Sequence, residues 1–226
     1  MLQLRPLVGG LLCGLGLLPT LALAGVDDAA LIDANSCSID LWHTRIDGGG
    51  YQNYVSPTCR PGGNYQFTAV FGNEHEEGES EQVYGLEAKM LFTSLEAHGY
   101  GLGLVVGSEY LTETSRWETQ YALVPLTLGF ADERALVHFN LGWERERSAE
   151  TRNALTWGLG SEVGIVGPLV AIANVFGNDR SSSESSIEVG PRLALLDEKV
   201  LIDALFEREL GGENTRAYTL ALTYAF

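Results

Sequence analysis

Along most of the chain, apolar residues alternate with small or polar ones at a period of two. Tyr84, Leu86, Ala88, Met90 and Phe92 interleave with Gly85, Glu87, Lys89 and Leu91. The same alternation recurs at Tyr100–Val106, Val137–Trp143, Leu155–Ile165, Val189–Leu195, Val200–Phe206 and Tyr218–Phe226. Side chains on a strand point alternately to its two faces, so each segment predicts a strand with one apolar face. A soluble sandwich shares that period. Strand length argues against it: segments of about ten residues suit a tilted bilayer crossing, where soluble strands average about five or six. The opposite face is rich in Gly, Thr, Glu and Asn, which suits a small polar lumen, and aromatics cluster toward the segment ends. An open sheet would leave unpaired backbone groups in hydrocarbon. The pattern therefore predicts an all-β fold, an antiparallel transmembrane β-barrel.

The links between segments set the strand count. Short links (60–63, 94–98, 131–134, 166–168 and 196–199) alternate with longer polar ones (73–81, 111–116, 146–152 and 178–186). Barrels of this class put short turns in the periplasm and longer loops outside. Counting back from a periplasmic C-terminus places ten strands after Asn64. Ser38 to Arg45, the Asp47–Gly50 turn and Tyr51 to Pro57 then read as one more hairpin, for twelve strands in total. The alternative is ten strands plus a disulfide-closed periplasmic N-terminal hairpin.

The N-terminus has a different character. Arg5 precedes an apolar run over 7–18, Pro19 breaks it, and Ala22 and Ala24 are small residues at the positions a signal peptidase reads. The run is too short for a span of roughly twenty residues. Residues 1–24 are expected to be a cleaved signal peptide, 25–36 a periplasmic N-terminal segment, and 37–226 the barrel. The chain carries 30 acidic and 14 basic side chains, net −16. Loss of the signal removes Arg5 and Cys13. An acidic surface argues against a nucleic-acid partner. Cys37 and Cys59 remain and are expected to form a disulfide in an oxidising compartment.

With the apolar faces against lipid, the expected lumen-lining set includes Glu87, Lys89, His138, Asn140, Glu162, Asn174, Arg192 and Asp203. Glu87, Lys89, Glu162, Arg192 and Asp203 read as an internal salt-bridge network. Glu109, Glu144, Glu188 and Glu207 read as solvated charge nearer the outer rim. The acidic excess favours a channel for small, cationic or polar solutes; a lumen sealed by ion pairs is the structural alternative. The less favoured class is an outer-membrane lipid-modifying enzyme. His43, His75, His98 and His138 show no nucleophile at a suitable spacing, so no catalytic residue is assigned. No two histidines sit at i, i+4, and neither a metal site nor a cofactor is expected. Glu74, Glu76, Glu77, Glu79 and Glu81 have no fixed ligand spacing and read as a solvated charge run.

The last nine residues end on Phe226, with Leu222 and Tyr224 at alternate positions before it. This resembles the C-terminal assembly signal of bacterial outer-membrane barrels. The resemblance implies an outer-membrane location, the barrel-assembly machinery as a partner, and contact with outer-membrane lipid and lipopolysaccharide. The stretches 121–130, 136–143 and 190–203 are similar to strands of small barrels grouped with the meta-pathway of phenol degradation. That family is regarded as one of transporters, which implies passage of a small-molecule solute and carries over no catalytic residue. Asn174 stands where that family would have an acidic residue.

Overall fold

The alternating segments become strands that pair only with their chain neighbours until the sheet closes on itself. In the computed structural model, described for residues 26–226 except 77, 132, 148–150, 181–182 and 213 (and the side chain of 151), these are β1 (Ser36–Ile46), β2 (Tyr51–Arg60), β3 (Tyr65–Glu76), β4 (Glu79–Thr93), β5 (Tyr100–Leu111) and β6 (Arg116–Phe130). They continue as β7 (Ala135–Arg147), β8 (Thr151–Val166), β9 (Leu169–Asn178), β10 (Ser186–Leu195), β11 (Val200–Glu209) and β12 (Arg216–Ala225). Every contact between neighbours is antiparallel, and β1 pairs with β12 from Ser38↔Ala225 to Ile46↔Ala217. The fold is thus a closed twelve-strand barrel, and the N-terminal hairpin belongs to its wall. The expected signal peptide over 1–24 lies outside the described residues.

The two faces of each strand separate as the alternation requires. Leu86, Leu141, Leu155 and Leu220 are exposed on the outside, whereas Lys89, His138, Asn140 and Glu188 are buried inside. An apolar exterior on a closed barrel is the surface of a protein seated in lipid. No described helix is long and apolar enough to cross a membrane.

Several local expectations change. The acidic stretch 73–81 is strand rather than loop: Glu74 pairs with Glu81 and Glu76 with Glu79. Its polar positions keep the period of two, so the ladder continues to a tight tip at Gly78 (φ 90°). The link at 94–98 contains a single helical turn, α1 (Leu95–His98), whose N-cap Ser94 accepts from Ala97 N and whose C-cap is Gly99 at φ 77°.

Cys37 and Cys59 are directly opposed on β1 and β2 and form a disulfide. Phe226 hydrogen-bonds both backbone groups of Cys37, so the disulfide hairpin also carries the β1–β12 seam. Replacing both cysteines by Ser is expected to lower stability by about 3 kcal/mol through loss of loop constraint in the unfolded chain. Urea unfolding in lipid vesicles checks this; an unchanged midpoint would show that the hydrogen-bonded seam suffices.

Candidate functional site

The lumen holds a segment of the chain that precedes β1 as well as the side chains of its wall. Residues 26–32 run inside the barrel, where a periplasmic segment was expected over 25–36. Lys89 Nζ reaches Asp27 Oδ1 at 2.9 Å and Asp28 Oδ1 at 3.0 Å. The Asn140 amide, with its nitrogen toward the Asp27 carbonyl, donates to it at 2.8 Å and accepts from Asp27 N at 2.7 Å. Ala29 N donates to Thr127 Oγ1 at 2.7 Å, and that hydroxyl also meets His138 Nδ1 at 3.0 Å. Ile32 N donates to Gln66 Oε1, and Arg60 Nη1 donates to Ile32 O at 2.8 Å. These bonds satisfy the backbone of a segment that has no ladder partner.

Glycines on the inner wall make the room. A Cβ at Gly101 would lie 2.5 Å from Ala29 O, and one at Gly158 or Gly160 would press on the Val26 side chain. The physical reason for the entry is charge. Lys89 faces Gln66 and Val105 on its neighbouring strands, neither of them acidic. A buried ammonium needs a partner, and Asp27 and Asp28 supply it from outside the sheet.

The expected five-membered salt-bridge network is therefore two separate clusters and a hydrogen bond. Arg192 grips Asp203 with two parallel bonds of 2.8 Å and reaches Glu162 at 2.8 Å. Asp203 is its direct cross-strand partner, whereas Glu162 lies two strands away on β8. Lys89 belongs to the N-terminal segment, and Glu87 accepts from Tyr121 Oη at 2.9 Å. Asn174 Nδ2 donates to Glu188 at 2.7 Å.

Three of the four carboxylates expected as solvated rim charge are enclosed as well, Glu109 being 2% exposed, Glu144 5% and Glu188 1%, while Glu207 is half-buried. Arg180, from the link after β9, turns inward and pairs with Glu144 at 2.7 Å and Glu146 at 2.8 Å. Ser186 hydrogen-bonds Glu207. The barrel is narrow enough for wall and loop side chains to reach one another.

Between the N-terminal segment and the β1–β6 wall a cavity of 210 Å³ remains, lined by Asp27, Asp40, Glu87 and Glu109, with Lys89, Trp42 and Tyr121. Trp42 stacks on Tyr54 at 4.9 Å, and the Tyr54 hydroxyl donates to Glu74 above it. Four carboxylates converge on this space, while Lys89 at its edge is already held by Asp27 and Asp28.

Asp27, Asp28, Gln66, Thr127, Tyr121 and Arg180 were not singled out from sequence. Of these, Asp27 and Asp28 had a signal, since Lys89 lacked an acidic neighbour on either adjoining strand. Ser80 was also passed over: the β3–β4 register sets its Oγ 2.9 Å from His75 Nδ1. The contact sits on the exposed hairpin tip, and among the described residues no acidic group orients His75 as a catalytic base requires. No group of three or more His, Cys, Asp and Glu among the described residues could hold a metal. Leu222, Tyr224 and Phe226 lie on the lipid-facing exterior of β12 and its end.

Residues 20–226 match the model of a family described as "Uncharacterised conserved protein UCP029691". No curated protein matches the chain by sequence. Among solved structures, a KdgM porin in complex with disordered oligogalacturonate is similar with a TM-score of 0.68 at 10% identity, over 84% of this chain and 99% of the porin. A NanC porin is similar with a TM-score of 0.65 at 7% identity, over 82% of this chain and 98% of that one. Omp33 of Acinetobacter baumannii gives 0.56 at 8% identity, over 85% and 98%. At such identities the likeness is one of fold: the closed barrel of outer-membrane porins.

Proposed function

The chain belongs to the family described as uncharacterised conserved protein UCP029691, and we propose that it is an outer-membrane channel for small polar solutes whose lumen favours cations. The observation that carries this reading is the acidic cavity. Asp40, Glu87 and Glu109 project from the wall into a 210 Å³ space whose lysine, Lys89, is already compensated by Asp27 and Asp28. Rings of carboxylates in a narrow pore concentrate cations and repel anions. The likeness in fold to the KdgM and NanC porins supports passage of solutes in the same sense. The N-terminal segment blocks the path below the cavity, so the channel rests closed and opens when residues 26–32 leave the lumen.

Planar-bilayer recording of the refolded mature barrel under a salt gradient tests the reading. Reversal potentials are expected to show cation preference, and Glu87→Gln with Glu109→Gln is expected to reduce it toward zero. In the Glu87→Gln variant the new amide oxygen can still accept from the Tyr121 hydroxyl, so the wall is retained. A folded protein that stays silent even after removal of residues 26–32 would overturn the channel and leave a structural barrel sealed by its ion pairs.

A further inference from the structure

The strand registers align a second surface, on the outside of the barrel where β11, β12, β1, β2, β3 and β4 adjoin. One exterior row reads Ile202, Leu222, Leu41, Val55, Phe71 and Tyr84, each the cross-strand partner of the next. The row above it turns polar at His43, Asn53, Asn73 and Gln82, with His43 Nδ1 2.8 Å from Asn53 Oδ1. The next row brings Tyr218 beside Arg45. One row above that, Arg208 and Arg216 are direct cross-strand partners. The apolar row borders a groove of 850 Å³ that ends at the polar row.

Three exposed guanidiniums thus lie on two neighbouring rows at one corner of a protein whose net charge is −16, with Asp47 beside Arg216 as the one adjoining carboxylate of that row among the described residues. Like charges directly opposite one another on a sheet are unfavourable. Among the described residues, none forms an ion pair with Arg45, Arg208 or Arg216; Arg208 Nη2 donates only to Asn214 Oδ1 at 3.2 Å. The depth is informative. Cys37 to Arg45 on the outside of β1 spans eight residues, about 20 Å of membrane normal for a tilted strand, close to the ~25 Å apolar belt of such barrels. Arg45 therefore stands at the outer-leaflet interface, where a charge facing lipid costs little.

We propose that this face binds a phosphorylated, acylated glycolipid of the outer leaflet. Its acyl chains lie in the apolar groove, its sugar hydroxyls and amides meet the His43–Asn53 row, and its phosphate bridges Arg45, Arg208 and Arg216. A guanidinium matches a phosphate with paired, charge-assisted hydrogen bonds. A bound phosphate would also convert the Arg208–Arg216 repulsion into a shared attraction. The site is independent of the lumen, so it stands or falls separately from the channel.

Native mass spectrometry of the full mature barrel, released from nanodiscs containing bis-phosphorylated lipid A, reads the retained lipid. Retention is expected to fall by about tenfold or more for Arg45→Gln/Arg208→Gln/Arg216→Gln, and likewise for intact protein offered dephosphorylated lipid A. Arg134→Gln, in a turn at the opposite end, is the control and is expected to retain lipid normally. Heat-modifiable migration identifies folded protein. Equal retention by the folded triple variant would overturn the proposal. Full displacement of the lipid by inorganic phosphate would also overturn it, since the groove would then contribute nothing.

Discussion

A barrel lacking residues 26–32 is expected to stay open nearly all the time, where the intact protein opens rarely, and to show a weaker cation preference, because Asp27 and Asp28 leave with the segment and uncover Lys89. The segment occupies the lower lumen and is held there by Lys89, Asn140, Thr127, Gln66 and Arg60. No strand passes through it, so its removal leaves all twelve strand pairings in place. The Asp27→Asn/Asp28→Asn variant tests the latch rather than the obstruction. Each charge-assisted hydrogen bond lost weakens the inserted state by roughly 1.5–3 kcal/mol. Since 1.4 kcal/mol shifts a two-state equilibrium about tenfold, the variant should open far more often while each full step matches that of the deletion. Planar-bilayer recording separates step size from open time. An open time unchanged by the deletion would show that the constriction lies elsewhere, with the Arg192 cluster the next candidate.

Arg192→Met is expected to destabilise the folded barrel by about 3 kcal/mol, because it leaves Asp203 and Glu162 without their shared cation. The side chains of these acids are 12% and 25% exposed, so water screens part of the loss and the lower end of the usual range applies. The triple replacement Glu162→Leu/Arg192→Met/Asp203→Leu removes all three charges at once and should recover most of that stability, since a buried ion cluster gains little over packed apolar groups. Urea titration in vesicles distinguishes the two variants. If the triple variant were as unstable as Arg192→Met, the cluster would contribute packing or specificity that charge alone does not explain.

These two variants also mark the limit of what was legible in the sequence. Glu87, Lys89, His138, Asn140, Glu162, Asn174, Arg192 and Asp203 could each be placed on the inner face, because a strand alternates its side chains whatever surrounds it. Their partners were legible only in part: Glu162, Arg192 and Asp203 were expected in one network and meet, whereas Lys89 and Glu87 were expected in it too and pair elsewhere. The pairing of Arg192 with Asp203 depends on the β10–β11 register, and its reach to Glu162 crosses β9. Residues 26–35 have no alternation to read, so their place in the lumen had only an indirect sign, an inward Lys89 with no acidic neighbour on the adjoining strands.

The outer face divides in the same way. Arg208 and Arg216 face each other across the β11–β12 hairpin, but nothing local connects either of them to Arg45 on β1. The seam that joins β1 to β12 brings together residues more than 150 positions apart in the chain and turns them into one corner. What the sequence determined by itself was the barrel: its amphipathic strands, their inner and outer faces, and the hairpin that can carry a disulfide. Those follow from a periodicity of two and from the backbone's need for partners in lipid. The choice of twelve strands over ten waited on the seam between β1 and β12. Only the tertiary structure decided what fills the lumen, which charges meet, and how the outer rows align. Those depend on the barrel's register and closure, and no local pattern encodes either.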